Sequence, residues 1–266
     1  ATALTDPLLN LNNSDPYLAL AERMADAVRP ISMSHFRSDL VIDSKDDDSP
    51  VTFADKEVEF VLRQMIEETF PDHGVIGEEH GTINVDAEFV WVIDPIDGTQ
   101  AFATGKPLFG TLIALLHEGQ PLIGIIDMPA LDERWVGAKG RQSLFKGKPA
   151  LTRSCHNLKD AWLYATSPQM FVPERFENFE NLRKLCCRSV YGAECQAYGL
   201  LSSGWVDVVC EDTLQSYDYA ALIPIIEGAG GVITDWQGNA LTVQSEGHVI
   251  AVGDPVLHEK VIKALS

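Results

Sequence analysis

Phe89-Val90-Trp91-Val92-Ile93-Asp94-Pro95-Ile96-Asp97-Gly98-Thr99 is the stretch on which the fold of this chain turns. Phe89 to Ile93 is an unbroken apolar run, short enough for a buried strand and too short for a buried helix. Asp94 and Asp97 follow at its end with a proline between them. Carboxylates grouped at the mouth of a strand offer the oxygen ligands that a hard cation prefers. Pro95 fixes one φ angle and removes one N–H, which stiffens the expected turn. Gly98 permits close backbone approach to an anion, and Thr99 adds a hydroxyl beside it. A divalent metal next to a phosphate-sized site is the chemical reading. The plainer one is a strand-end turn whose aspartates bond their own backbone.

Working outward, Gly77-Glu78-Glu79 follows the short apolar run Val75-Ile76. Adjacent residues on a strand face opposite ways, so one glutamate joins a shared site. Glu78 is the candidate, and Glu79 is solvated or supporting. Downstream, Tyr217-Asp218-Tyr219-Ala220-Ala221-Leu222-Ile223-Pro224-Ile225-Ile226 reads as a helix with Asp218 at its N-cap. Pro224 predicts a kink, and Gly230-Gly231 predicts the stop before the strand Val232-Ile233-Thr234.

These three segments, in this order, resemble the inositol monophosphatase superfamily of magnesium-dependent phosphatases. The likeness runs from about Tyr17 to Leu265. It implies an α/β layered fold, an alternating helix and sheet sandwich of two halves with the active site between them. It also implies a residue-by-residue assignment. Glu78, Asp94 and the Ile96 carbonyl hold one magnesium ion, and Asp94, Asp97 and Asp218 hold a second. Asp55, in Pro50-Val51-Thr52-Phe53-Ala54-Asp55, lies near a third, weaker ion. Thr99 and Glu78 polarise the attacking water, and the Gly98 and Thr99 N–H groups hold the phosphate. Longer strings resemble the histidinol-phosphate phosphatases within this superfamily: Gly105-Lys106-Pro107-Leu108-Phe109-Gly110, Asp127-Met128-Pro129-Ala130-Leu131-Asp132-Glu133-Arg134-Trp135, and Glu227-Gly228-Ala229-Gly230-Gly231. Tyr217 stands where the superfamily usually has tryptophan.

The alcohol part of the substrate is read from two acids. Glu194 lies where inositol-specific relatives carry small residues, and Glu211 falls where the family places an acid against the alcohol. Two carboxylates there suit a cationic alcohol such as histidinol, through charge-assisted hydrogen bonds. Asp212 is read as solvent-facing. The alternatives kept open are an inositol monophosphatase, a nucleotide bisphosphate phosphatase, a non-catalytic ligand-binding module and a calcium-binding structural protein. The last lacks an EF-hand loop, because Lys45-Asp46-Asp47-Asp48 has neither the glycine nor the terminal glutamate that loop needs.

The chain has 266 residues with 39 acidic against 20 basic side chains, a formal net charge of −19. Such a surface argues against nucleic acid and anionic membranes as partners. A small phosphate ester remains compatible, since bound magnesium reverses the local sign. Five scattered cysteines give no disulfide framework and point to a reducing compartment, the cytoplasm or the plastid stroma if a transit peptide has been removed. The family implies a homodimer. The seven histidines show no paired spacing and are read as surface or structural; Trp91 and Trp135 are read as core.

Amphipathic periodicity predicts helices over Pro16 to about Phe36 and Asp55 to Phe70. Strands are expected near Val75, at Phe89–Ile93, Thr111–His117, Leu122–Met128 and Arg134–Ala138. Shorter elements follow over Trp162–Thr166, Glu174–Cys186 (a helix), Gln196–Ser203 and Val206–Cys210. The expected division is residues 1–148, carrying most metal ligands, and residues 149–266, carrying Asp218 and the specificity residues. Ala1 to Asn13 is read as a frayed start and Lys45 to Ser49 as a solvated turn.

Overall fold

A computed structural model describes residues 15–38, 42–44 and 50–266. The readings on Ala1–Asn13 and Lys45–Ser49 lie outside the described residues. In chain order the helices are α1 (Pro16–His35), α2 (Phe53–Thr69), α3 (Thr99–Ala103), α4 (Pro173–Leu185), α5 (Gln196–Ser202), α6 (Ser216–Tyr219), α7 (Leu222–Gly228) and α8 (Leu257–Leu265). A short antiparallel pair, β1 (Ile42–Ser44) and β2 (Pro50–Thr52), precedes α2.

The larger sheet has eight strands: β3 (Gly74–Gly77), β4 (Thr82–Ile83), β5 (Phe89–Asp97), β6 (Gly110–His117), β7 (Gln120–Met128), β8 (Glu133–Ala138), β9 (Leu144–Phe145) and β10 (Lys148–Pro149). Their order is β10-β9-β8-β7-β6-β5-β3-β4. Successive strands from β5 to β10 pair antiparallel, with α3 between β5 and β6, whereas β3 and β5 run parallel. The smaller sheet has five strands: β11 (Trp162–Ala165), β12 (Arg188–Tyr191), β13 (Val208–Glu211), β14 (Val232–Asp235) and β15 (Val249–Val252). Its order is β12-β11-β13-β15-β14.

Side-chain alternation sorts the core into layers. On β6, Ile113 and Leu115 face α1 and α2, where they pack with Leu20, Met24, Val28, Val58, Leu62, Trp91 and Ile93. Leu112, Ala114 and Leu116 face the other way, toward Tyr198, Leu201, Leu222, Ile225 and Ile226 of α5 and α7. On β15, Val249 and Ala251 join that same central layer. Ile250 and Val252 face outward, onto Phe179 and Leu182 of α4 and Leu257 and Val261 of α8. The result is five layers, helix, sheet, helix, sheet, helix. Trp91 and Trp135 are both fully buried, as read from the sequence.

Three local expectations change. β5 does not stop at Ile93; it continues through Pro95 to Asp97, with an irregular register between Asp94 and Asp97. Proline is tolerated in a strand at such a bulge. The Thr111 hydroxyl donates to the Pro95 carbonyl at 2.9 Å and replaces a missing ladder bond. Asp218 is not the N-cap. That place belongs to Gln215, and Asp218 is the third helical residue, closing a capping box by accepting from the Gln215 N–H at 2.7 Å. The expected single kinked helix is two short ones, α6 and α7, and the second ends at Gly228, ahead of Gly230-Gly231.

Candidate active site

The parallel pairing of β3 with β5 builds the first part of the site. Gly77 lies opposite Ile93, so Glu78, just past the end of β3, and Asp94, still within β5, follow side by side at the same end. The bulge then brings Asp97 round. From the central helical layer α6 contributes Asp218, one of whose oxygens is held by its own helix start. Carboxylate oxygens of Asp94, Asp97 and Asp218 lie within 4.8 Å of one another. Glu78 is half-buried and adds its charge to the same cluster. Asp55 is buried in the first turn of α2, outside that triad.

Gathering these acids is electrostatically unfavourable. Burial pushes the Asp94 carboxyl well up, and Glu78, Asp97 and Asp218 push it further. Burial likewise raises Asp97. Asp218 is pushed up to about 8, by burial and then by the charge of Asp97. Asp94 Oδ1 is buried with no hydrogen-bond partner. Buried carboxylate oxygens normally find donors. A cation is the group that satisfies both facts, and an all-oxygen donor set fits magnesium.

Beside the cluster the chain turns from β5 into α3 through Gly98, at φ 81°. Thr99 Oγ1 donates to the Ile96 carbonyl at 3.2 Å. The two acids read from the sequence as facing the alcohol, Glu194 and Glu211, approach from the second sheet. Glu194, at φ 54°, rests on Gly98, where a Cβ would meet its Cγ at 2.9 Å. Burial first, then Asp97 and Glu211, raise the Glu194 carboxyl to about 8. The Cys195 N–H donates to Asp97 Oδ2 at 2.9 Å, so one loop touches both acids. Glu211 is buried behind Glu194. Its Oε2 accepts from the Thr166 N–H (2.8 Å) and hydroxyl (2.6 Å), and its Oε1 from the Tyr198 hydroxyl (2.8 Å). Three protein donors thus occupy most of what a carboxylate can accept, and Glu194 is left as the more available acid.

Asp212 corrects the sequence reading. It is fully buried, with the Arg175 guanidinium at 2.9 Å and the Val172 N–H at 3.0 Å. Burial of a carboxylate requires such a partner, and Arg175 is 37 residues away in sequence. Glu59 is a further missed residue. It is fully buried on α2 and accepts from the N–H groups of Glu79 (2.6 Å) and His80 (3.0 Å), with Arg63 alongside at 2.9 Å. It therefore fixes the loop that carries Glu78. The only sequence signal was an acidic residue on the apolar face of α2.

The inositol monophosphatase family profile matches residues 13–266. The bifunctional phosphatase IMPL2, chloroplastic, of Arabidopsis thaliana is 44% identical over 94% of this chain and 75% of its own length. The histidinol-phosphatase of Chlorobaculum parvum is 34% identical over 89% of this chain and 92% of its own. The solved inositol monophosphatase of Zymomonas mobilis superposes with a TM-score of 0.86 at 45% identity, over 94% of this chain and 97% of that one. With the carboxylate cluster at the strand end and the five-layer sandwich around it, these likenesses agree on one conclusion: this chain belongs to the inositol monophosphatase family.

Proposed function

We propose that the substrate of this chain, which the family and the relatives make a phosphoric monoester hydrolase, is L-histidinol phosphate, hydrolysed by water to L-histidinol and phosphate. The carrying observation is Glu194, a half-buried carboxylate resting on the Gly98 turn beside the acid cluster. Burial and the neighbouring acids Asp97 and Glu211 hold its carboxyl above the usual carboxylate range. An ammonium or imidazolium arriving beside it lowers its pKa and gains a charge-assisted bond. The inositol ring offers no such charge. Relatives named as histidinol-phosphatases support the reading.

In this reading Glu78, Asp94, Ile96 through its carbonyl, Asp97 and Asp218 hold two magnesium ions, with Asp55 beside a third. Bound magnesium neutralises phosphoryl charge and makes water a better nucleophile. The protein's own groups do the rest. The Gly98 and Thr99 N–H groups orient the phosphate. Thr99 and Glu78 orient and polarise the attacking water. The Pro95–Thr111 bond and the Cys195 N–H hold Asp97 in place. The setting is a reducing compartment, cytoplasm or plastid stroma, and the active unit is a homodimer, which light scattering checks.

The test is steady-state kinetics on histidinol phosphate and on an inositol monophosphate. A desolvated ammonium–carboxylate bond of about 1.5–3 kcal/mol gives a roughly tenfold to hundredfold higher kcat/KM for the cationic ester. Equal or reversed efficiencies overturn this substrate and leave the phosphatase standing. Inositol phosphate is the second substrate to try, because the 44% relative is named bifunctional and another at 30% is named an inositol-1-monophosphatase.

A further inference from the structure

Glu194 depends on an unusual backbone. Gly192 has φ 89° and Glu194 φ 54°, two left-handed residues around Ala193. A non-glycine residue is strained there, so surrounding contacts must enforce it. One side is enforced by the Cys195 N–H on Asp97. The other side is enforced by Lys106, whose ammonium donates to the Gly192 carbonyl 86 residues away. Lys106 itself is anchored just after α3, its N–H donating to the Ala101 carbonyl at 2.8 Å. Its ammonium is also an opposite charge close to Glu194. α3 therefore meets the 192–195 loop at both of its ends. Gly98 supports Glu194 at the start and Lys106 holds Gly192 at the finish.

We infer that Lys106 is a positioning residue for substrate selectivity, clamping the Gly192–Cys195 loop so that the Glu194 carboxylate faces the alcohol of the ester. This rests on the proposed reading of Glu194. Lys106 acts through the loop, so its loss affects the cationic alcohol more than the chemistry.

Lys106→Met and Lys106→Arg are to be compared with wild type on histidinol phosphate and an inositol monophosphate, with magnesium. The expected result for the methionine variant is a fivefold or greater fall in kcat/KM for histidinol phosphate, carried by KM, with the ratio between the two esters reduced by a similar factor. Arginine, which keeps a charged donor, restores much of the ratio. Equal losses on both esters, or a fall carried by kcat alone, overturn the inference and make Lys106 a phosphate contact or a structural residue. An unchanged ratio overturns it too. If wild type shows no preference for the cationic ester, the substrate reading has failed, and hydrogen exchange then decides the clamp on its own. Faster exchange of the Cys195 amide in Lys106→Met supports it, and unchanged exchange overturns it.

Discussion

Asp94 is the deepest acid of the cluster, with one oxygen that no protein donor reaches. Replacing it with asparagine keeps the shape and removes one of the repelling charges. Activity in magnesium should fall by roughly a hundredfold or more, because the charge of the carboxylate proposed to serve both ions is gone. The magnesium-free protein should melt at a higher temperature than wild type, since a buried repulsion has been relieved. Wild-type turnover at saturating magnesium would refute the assignment, and thermal scans with and without magnesium test the second half. Gly98 carries a different constraint. Gly98→Ala places a methyl at φ 81° and against Glu194 Cγ, at a cost of about 1–3 kcal/mol. Urea denaturation measures that cost, and kinetics should show selectivity loosened as Glu194 is displaced. Much at this scale was legible. Asp94 and Asp97 announce themselves by type and spacing, and Glu78 and Asp218 join them through the family resemblance. Asp212 and Glu59 did not, because an acid's burial depends on partners such as Arg175 and the Glu79 amide that only the folded chain supplies.

The central helices sit on the sheet through glycines. A Cβ at Gly124 on β7 would run into the Ala221 carbonyl, and one at Gly137 on β8 would lie 2.5 Å from the Ile225 backbone. α7 can approach this closely only because those strand positions lack side chains. Gly124→Ala should push the α6–α7 segment away, costing about 1–3 kcal/mol of stability and moving Asp218 from its partners. A denaturation midpoint lowered together with weaker magnesium affinity is the expected outcome; a stable variant with normal affinity would show that α6 is positioned otherwise. Element types followed from hydrophobic period, as α1, α2 and β6 illustrate. Their ends were harder. β5 runs past its proline because a threonine on the neighbouring strand fills the gap. The expected long helix divides because Gln215 and Asp218 cap a first short turn separately from the apolar run that follows. Both depend on contacts across the chain or on local geometry that the apolar pattern does not encode.

For the molecule as a whole, the acid cluster couples folding to pH and to metal. In the fold, burial and the charge of Asp97 push the Asp218 carboxyl up to about 8 from an ordinary 3.8, so across that range the folded state binds more protons than the unfolded one. Stability of the metal-free protein should therefore fall as pH rises through that window, the opposite of the usual trend for a salt-bridged acid. Magnesium, binding the ionised cluster, should remove most of this slope. Melting curves from pH 5 to 8.5 with magnesium or a chelator measure it, and a chelated protein that gains stability over that range would contradict the account. Among the described residues no helix is long and apolar enough to cross a membrane.

The loop contact between Cys195 and Asp97 reaches beyond this one chain. The group that steadies the aspartate is a main-chain amide, which every residue but proline provides. Neighbouring side chains can be exchanged while the aspartate keeps its support. An ancestral enzyme could thus acquire a new alcohol preference by edits around position 194, leaving its catalytic acids untouched at every step. Laboratory evolution restricted to residues 192–196 should yield altered preferences more readily than mutagenesis spread over the β5 end.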